Sequence, residues 1–140
     1  KWNGGDRRIS LALRKNRLVS GERMATTQTE GKRAVTRFKL IGHSAMASLM
    51  EATIDTGRTH QIRVHAQSIS FPVAGDPKYG DKAFNRLCRE RGLMRMFLHS
   101  HRMTYQGEED VRTCRAPLGD ELLSALHALG LGSCIASADL

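Results

Sequence analysis

The chain has 140 residues, 40% hydrophobic and 26% charged, which is the makeup of one ordinary folded domain or a piece of one. It carries no apolar run near the roughly 20 residues that a membrane span needs and no signal-peptide core at its start. The net charge of +8 favours a polyanionic partner, nucleic acid before a membrane surface. That charge is regional. Lys1 to Arg17 holds six basic residues against Asp6, and Lys78 to Arg102 holds seven against Asp81 and Glu90. From Met103 onward six carboxylates outnumber Arg112 and Arg115. Cys88, Cys114 and Cys134 are odd in number and far apart, which speaks against a disulfide framework or a structural zinc site and for a reducing cytoplasm.

In chain order, Lys1 to Glu30, punctuated by Gly4, Gly5 and Gly21, reads as an irregular or short-stranded arm. Arg33 to Ile41 alternates, with Thr36, Phe38 and Leu40 on one side, as a half-buried strand does. Ala47 to Ile54 reads as a second strand, and Gly42 supplies the flexible point of an antiparallel hairpin with a turn at His43 and Ser44. After Gly57 the period becomes helical. Ile62, His65, Ala66 and Ile69 make one buried stripe on a helix capped near Thr59 and ended by Phe71-Pro72. Asp81 caps a second helix with Phe84, Leu87 and Cys88 inward and Gly92 as its stop. At 100° per residue, Lys82, Arg86 and Arg89 fall on the opposite face, where they are expected to contact phosphates. Met96 to Tyr105 reads as a strand. Asp120 opens a final helix that buries Leu122, Leu123, Leu126 and Leu129 and ends at Gly130, and residues 131–140 read as a frayed tail. Strands and helices without regular alternation point to an α+β fold.

The segment richest in chemistry is Asp55 to His65, D-T-G-R-T-H-Q-I-R-V-H. It feeds a glycine turn into a helix N-terminus crowded with donors, an arrangement that attracts anions. On the helical wheel His60, Arg63 and Gln67 share a second face suited to a carboxylate or a phosphate. Metal chemistry is not expected. His60 and His65 do not share a face, and His99 and His101 have no carboxylate or cysteine at ligand spacing.

T-G-R-T-H-Q-I-R-V-H, followed by F-P-V-A-G-D-P-K-Y-G, resembles the C-terminal signature of RluA-type pseudouridine synthases. The flanking blocks S-G-E-R-M, G-K-R-A-V-T-R-F-K-L, G-D-K-A-F-N-R-L and R-M-F-L-H-S-H-R-M-T-Y are similar to the branch that acts on the large ribosomal subunit. The resemblance covers nearly the whole chain to about Gly130. It implies an α+β domain built on a central mixed, mostly antiparallel sheet flanked by helices, with an RNA cleft across it. It implies isomerisation of uridine in large-subunit ribosomal RNA by a flipped-base mechanism, without metal or cofactor; nothing in the sequence suggests an extended interface, so a monomer is expected.

The family's chemistry centres on an aspartate in an H-R-L-D motif, a carboxylate nucleophile in one version of the mechanism. The arginine that partners this aspartate matches Arg63, and a planar guanidinium suits the task because it can grip two oxygens at once. Leu98, in F-L-H-S, matches the apolar position beside the target base. Arg58, His60 and Gln61 match the motif as positioning or RNA-binding residues. The chain contains no H-R-L-D; Asp6, Asp55 and Asp76 have other neighbours, and Tyr79 and Tyr105 stand in other contexts than the family's tyrosine. Residues 1–130 are therefore expected to be the C-terminal part of the catalytic domain, with the nucleophile and an S4-type RNA-binding domain lying before Lys1. The chain alone is then expected to be inactive. The competing expectation is a non-catalytic basic RNA-binding piece.

Overall fold

The computed structural model describes residues 2, 4–17, 23–27 and 31–136. Gly21 and residues 137–140 of the expected tail lie outside the described residues. The elements are β1 (Arg7–Ser10), β2 (Leu13–Arg17), β3 (Arg23–Thr27), β4 (Val35–His43), β5 (Ser48–Ile54), α1 (Gln61–Ser68), α2 (Lys82–Glu90), β6 (Arg102–Gln106), β7 (Val111–Arg115) and α3 (Asp120–Ala128), followed by a 3-10 turn at Gly132–Cys134. The fold is α+β. A three-stranded sheet in the order β1-β4-β5 stands beside two hairpins, β2-β3 and β6-β7. Every strand pair among the described residues is antiparallel. Short connections dictate that for the β2-β3, β4-β5 and β6-β7 pairs, since parallel pairing needs a long crossover; β1 reaches β4 only after the β2-β3 hairpin.

Strand β4 behaves as its alternation predicts. Thr36 and Phe38 are buried while Arg37 and Lys39 are exposed. The hairpin turn falls at Ser44, as expected, whereas Gly42 is not its flexible point. The Ser44 hydroxyl accepts from the Met46 and Ala47 amides, both at 3.1 Å, and the Ser44 amide donates to the Ala47 carbonyl at 2.8 Å. Gly42 sits within β4 beside a register irregularity, where a Cβ would collide with the Cys134 sulfur.

Two apolar clusters fix the helices. Trp2, Phe38 and Ala66 gather Leu40, Met50, Ile62 and Phe71 between α1 and the sheet. Leu49, Cys88, Leu93, Leu122, Leu126 and Leu131 join α2 and α3 to the other end of β5. Helix α2 follows the sequence reading closely. The Asp81 side chain accepts from the Phe84 amide at 2.7 Å, Cys88 is fully buried, Lys82, Arg86 and Arg89 are exposed, and Gly92 takes φ 88° just past the end.

Three sequence expectations change. The strand placed at Met96–Tyr105 pairs only over β6, because the backbone before it is spent on other contacts, with Phe97 donating to Ala74 and Leu98 to Met96. Strand β7 was not anticipated. The described part of the tail is not frayed, since Leu131 is buried and Ile135 packs on the core beside it. Leu131 and Ile135 lie within reach of α3 and gain by burying their apolar surface against it, which fraying would return to water.

Candidate active site

The motif loop is held from below by β4. Gln61, the first residue of α1, is 3% exposed and fills all of its hydrogen-bonding positions. Its Oε1 accepts from the Thr56 hydroxyl at 2.8 Å and the Arg58 amide at 3.1 Å. Its Nε2 donates to the Val35 carbonyl at 2.8 Å and the Thr36 hydroxyl oxygen at 3.1 Å. Thr56 in turn accepts from the Val35 amide at 3.2 Å. Gln61 was expected to contact RNA, and here the structure corrects the sequence reading: no donor or acceptor is left to offer. His65, expected in the core, is fully buried with Nδ1 2.8 Å from the Thr36 hydroxyl and Nε2 3.3 Å from the Leu11 carbonyl. Burial lowers its pKa, against the opposing pull of the Leu11 carbonyl. The Leu11 carbonyl can only accept, so Nε2 carries a proton, and in the neutral ring that burial favours Nδ1 accepts from the Thr36 hydroxyl.

The helix start itself departs from the expected cap. The N-cap is His60 and not Thr59, with φ 54° and no side-chain cap bond. A non-glycine residue in the left-handed region carries a conformational cost of order 1 kcal/mol or more, repaid by surrounding contacts. One such contact is Tyr79, whose hydroxyl lies 3.1 Å from His60 Nδ1 and accepts from the Ala25 amide at 2.9 Å. Leu13, Ala25, Val64 and Tyr79 are buried together, so the same residue seats the β2-β3 hairpin on α1.

Arg63 reaches from α1 into the A-G-D-P-K-Y-G turn. Its Nε donates to Asp76 Oδ2 and its Nη2 to Oδ1, each at 2.7 Å. The Arg63 side chain is 14% exposed and the Asp76 carboxylate not at all. Oδ1 also accepts from the Lys78 and Tyr79 amides at 2.9 and 3.0 Å. Burial alone would raise the Asp76 pKa; the Arg63 fork and the two amides outweigh it and hold the carboxyl below its usual range. The same bonds raise the Arg63 pKa. The guanidinium lies 4.9 Å from the centre of the Tyr79 ring. Around this pair the turn is closed by Asn85, which donates to the Asp76 carbonyl and accepts from the Gly75 amide, both at 2.8 Å. Gly75, at φ 71°, has the Arg95 carbonyl where a side chain would begin, so glycine is required there.

The residues expected to meet RNA therefore divide. Arg58 is exposed, its Nε reaching the Arg33 carbonyl at 3.4 Å; His60 is half-buried. Lys82, Arg86 and Arg89 project from α2 into solvent. Leu98 is half-buried in the wall of an apolar cavity of about 610 Å3, which it shares with Phe71, Phe84 and Phe97. Asp76 and Tyr79 were missed as site residues. Their signal was available: an aspartate between glycine and proline, three residues from a tyrosine, directly after the motif helix. Among the described residues no group of three or more His, Cys, Asp or Glu side chains could hold a metal ion, and no helix is long and apolar enough to cross a membrane.

With this geometry in view, comparison with known proteins is direct. Residues 8–68 match the family model described as RNA pseudouridylate synthase. The chain is 41% identical over 133 residues to the ribosomal large subunit pseudouridine synthase C of Escherichia coli O157:H7, covering 92% of this chain and 42% of that protein. It is 40% identical over 131 residues to the protein of the same name from Pasteurella multocida, covering 92% and 40%. Among solved structures, the human RNA pseudouridylate synthase domain containing 1 superposes with a TM-score of 0.70 at 24% identity, covering 96% of this chain and 54% of that one, a likeness of fold. The chain thus spans about two fifths of the length of these curated relatives. The matched family model and the bacterial relatives agree: over most of its length the chain is similar to the RNA pseudouridylate synthases.

Proposed function

We propose that the whole protein carrying this chain isomerises uridine to pseudouridine in large-subunit ribosomal RNA, working in the cytoplasm. The observation that carries the reading is the construction of the motif loop. Buried Gln61 and half-buried Thr56 tie it to β4, so that Arg58 and His60 are held at the helix start with Arg63 one turn behind. The similarity to proteins named for the large ribosomal subunit supports the substrate, and the free thiols of Cys88, Cys114 and Cys134 support a reducing compartment.

In this reading Arg63 grips the carboxylate of a catalytic aspartate supplied from outside this chain. Two of its nitrogens are taken by Asp76; Nη1 and the second proton of Nη2 form a further edge with no partner among the described residues. A guanidinium can bridge two carboxylates in this way because it has five donors in one plane. Held ionised by that edge, the nucleophile stays aimed in a partly dry cleft. Leu98 lies against the target base, and Arg58, His60, Lys82, Arg86 and Arg89 engage the RNA backbone, whose phosphates set affinity and its salt dependence.

The test is to express the protein from its complete reading frame and incubate it with large-subunit ribosomal RNA. Pseudouridine is then mapped by carbodiimide-dependent stops in primer extension. Stops at discrete uridines are expected. RNA binding without any new stop would overturn the reading in favour of a non-catalytic RNA-binding protein.

A further inference from the structure

We propose that Asp76 is a positioning residue for the reaction, fixing Arg63 so that the remaining edge of its guanidinium faces the catalytic aspartate. This rests on the reading of Arg63 given above. An arginine side chain has several rotatable bonds, and a solvated one would sample many orientations. Here three constraints remove that freedom. The Nε–Nη2 edge is locked by both oxygens of Asp76. The face of the guanidinium rests against the Tyr79 ring. The carboxylate that does the locking is itself immobile, buried and bonded to the Lys78 and Tyr79 amides.

The two edges of the guanidinium then have separate tasks. The inner edge neutralises Asp76; the outer edge is left as a preorganised donor pair whose direction is set before any substrate arrives. Preorganisation of this kind matters because a misplacement of about 1 Å in a reacting group can cost on the order of 100-fold in rate. Asp76 also keeps the charge balance local. With its own carboxylate paired, the second carboxylate meets a guanidinium that is already oriented but still has unspent donors.

The experiment uses the protein expressed from its complete reading frame, with turnover and RNA affinity measured separately. Asp76→Asn retains the size of the side chain and an oxygen for the two amides but loses the charge and one acceptor for Arg63. It is expected to lower kcat by about 10- to 100-fold and to leave the KM for RNA within about twofold, because no RNA contact is removed. Where that variant does not fold, Asp76→Glu serves, since it keeps the charge and displaces the guanidinium; the same fall in kcat at constant KM is expected.

The decisive measurement is the double variant with Arg63→Lys. If Asp76 acts through Arg63, Asp76→Asn adds little to the loss already caused by Arg63→Lys. Independent, multiplicative losses would overturn the positioning role and leave Asp76 as a residue of the fold alone. A kcat unchanged by Asp76→Asn would overturn it as well. If Arg63→Lys itself leaves kcat intact, the assignment of Arg63 fails first, and the role of Asp76 falls with it.

Discussion

Helices α1 and α2 both carry polar and basic side chains beside an apolar stripe, yet they spend them in opposite ways. In α1, Gln61 and His65 are buried in hydrogen bonds to β4 and to Leu11, and Arg63 is locked to Asp76. In α2, Lys82, Arg86 and Arg89 stand in solvent, and the helix is stopped and started by its own local signals. The lesson is that the same residue types serve two ends. Where every donor and acceptor finds a fixed protein partner, a polar residue builds the scaffold; where none does, it remains for a ligand. Burying the first kind is tolerable only because the bonds are complete.

The comparison can be broken most decisively at Gln61. Gln61→Ala removes the partners of Val35, Thr36, Thr56 and Arg58 at once, and is expected to cost about 3–5 kcal/mol in unfolding free energy, read by urea denaturation. A loss below about 1 kcal/mol would mean that β4 does not hold the motif loop.

Acid should weaken the α1 corner in two stages. His65 has a folded pKa below its ordinary 6.5 because of burial. The unfolded chain therefore takes the proton first, and stability is full above about pH 6.5 and declines as pH falls through the folded value. Asp76 has a folded pKa below its ordinary 3.8, so its contribution is full above about pH 4 and is lost only as pH falls further. Stability measured across this range should lose its upper stage in His65→Gln and its lower stage in Asp76→Asn; an unaltered profile in either variant counts against that group.

A smaller effect is expected at Tyr79. Tyr79→Phe keeps the ring over Arg63 but leaves the Ala25 amide and His60 without the hydroxyl, at a cost of about 1–2 kcal/mol. Amide exchange should show the loss concentrated at β3, and unchanged protection there would contradict the seating of the hairpin on α1 through Tyr79.

The smallest stability effect belongs to α2. Replacing Lys82, Arg86 and Arg89 together by alanine should change the unfolding free energy by no more than about 0.5 kcal/mol per site. The same variant should make the salt dependence of RNA binding shallower by roughly 0.7 per lost phosphate contact. An unchanged slope would remove α2 from the RNA face, and a large loss of stability would erase its contrast with α1.

What was legible in the sequence follows the range of the forces involved. The two faces of α2, its Asp81 cap and its Gly92 stop depend on residues within a few positions of one another, and so does the alternation of Thr36, Phe38 and Leu40. Likeness to the pseudouridylate synthases was also legible, because the motif and its flanking blocks are linear strings. The turn at Ser44, closed by bonds to Met46 and Ala47, was legible for the same reason; the pairing of β6 with β7 and the burial of Leu131 were not, since each depends on what packs or bonds against a segment from elsewhere in the chain.

The motif D-T-G-R-T-H-Q-I-R-V-H shows the same boundary within eleven residues. Its composition by itself determined that a donor-rich helix start would stand here, and its likeness to a family determined which arginine to watch. Only the tertiary structure decided that Gln61 turns inward to Val35 and Thr36, that His60 is held in a left-handed conformation beside Tyr79, and that Arg63 meets Asp76 along one edge. A side chain's direction is settled by partners that satisfy its hydrogen bonds, and for Gln61 those on β4 lie 25 and 26 residues away, beyond anything local spacing can encode.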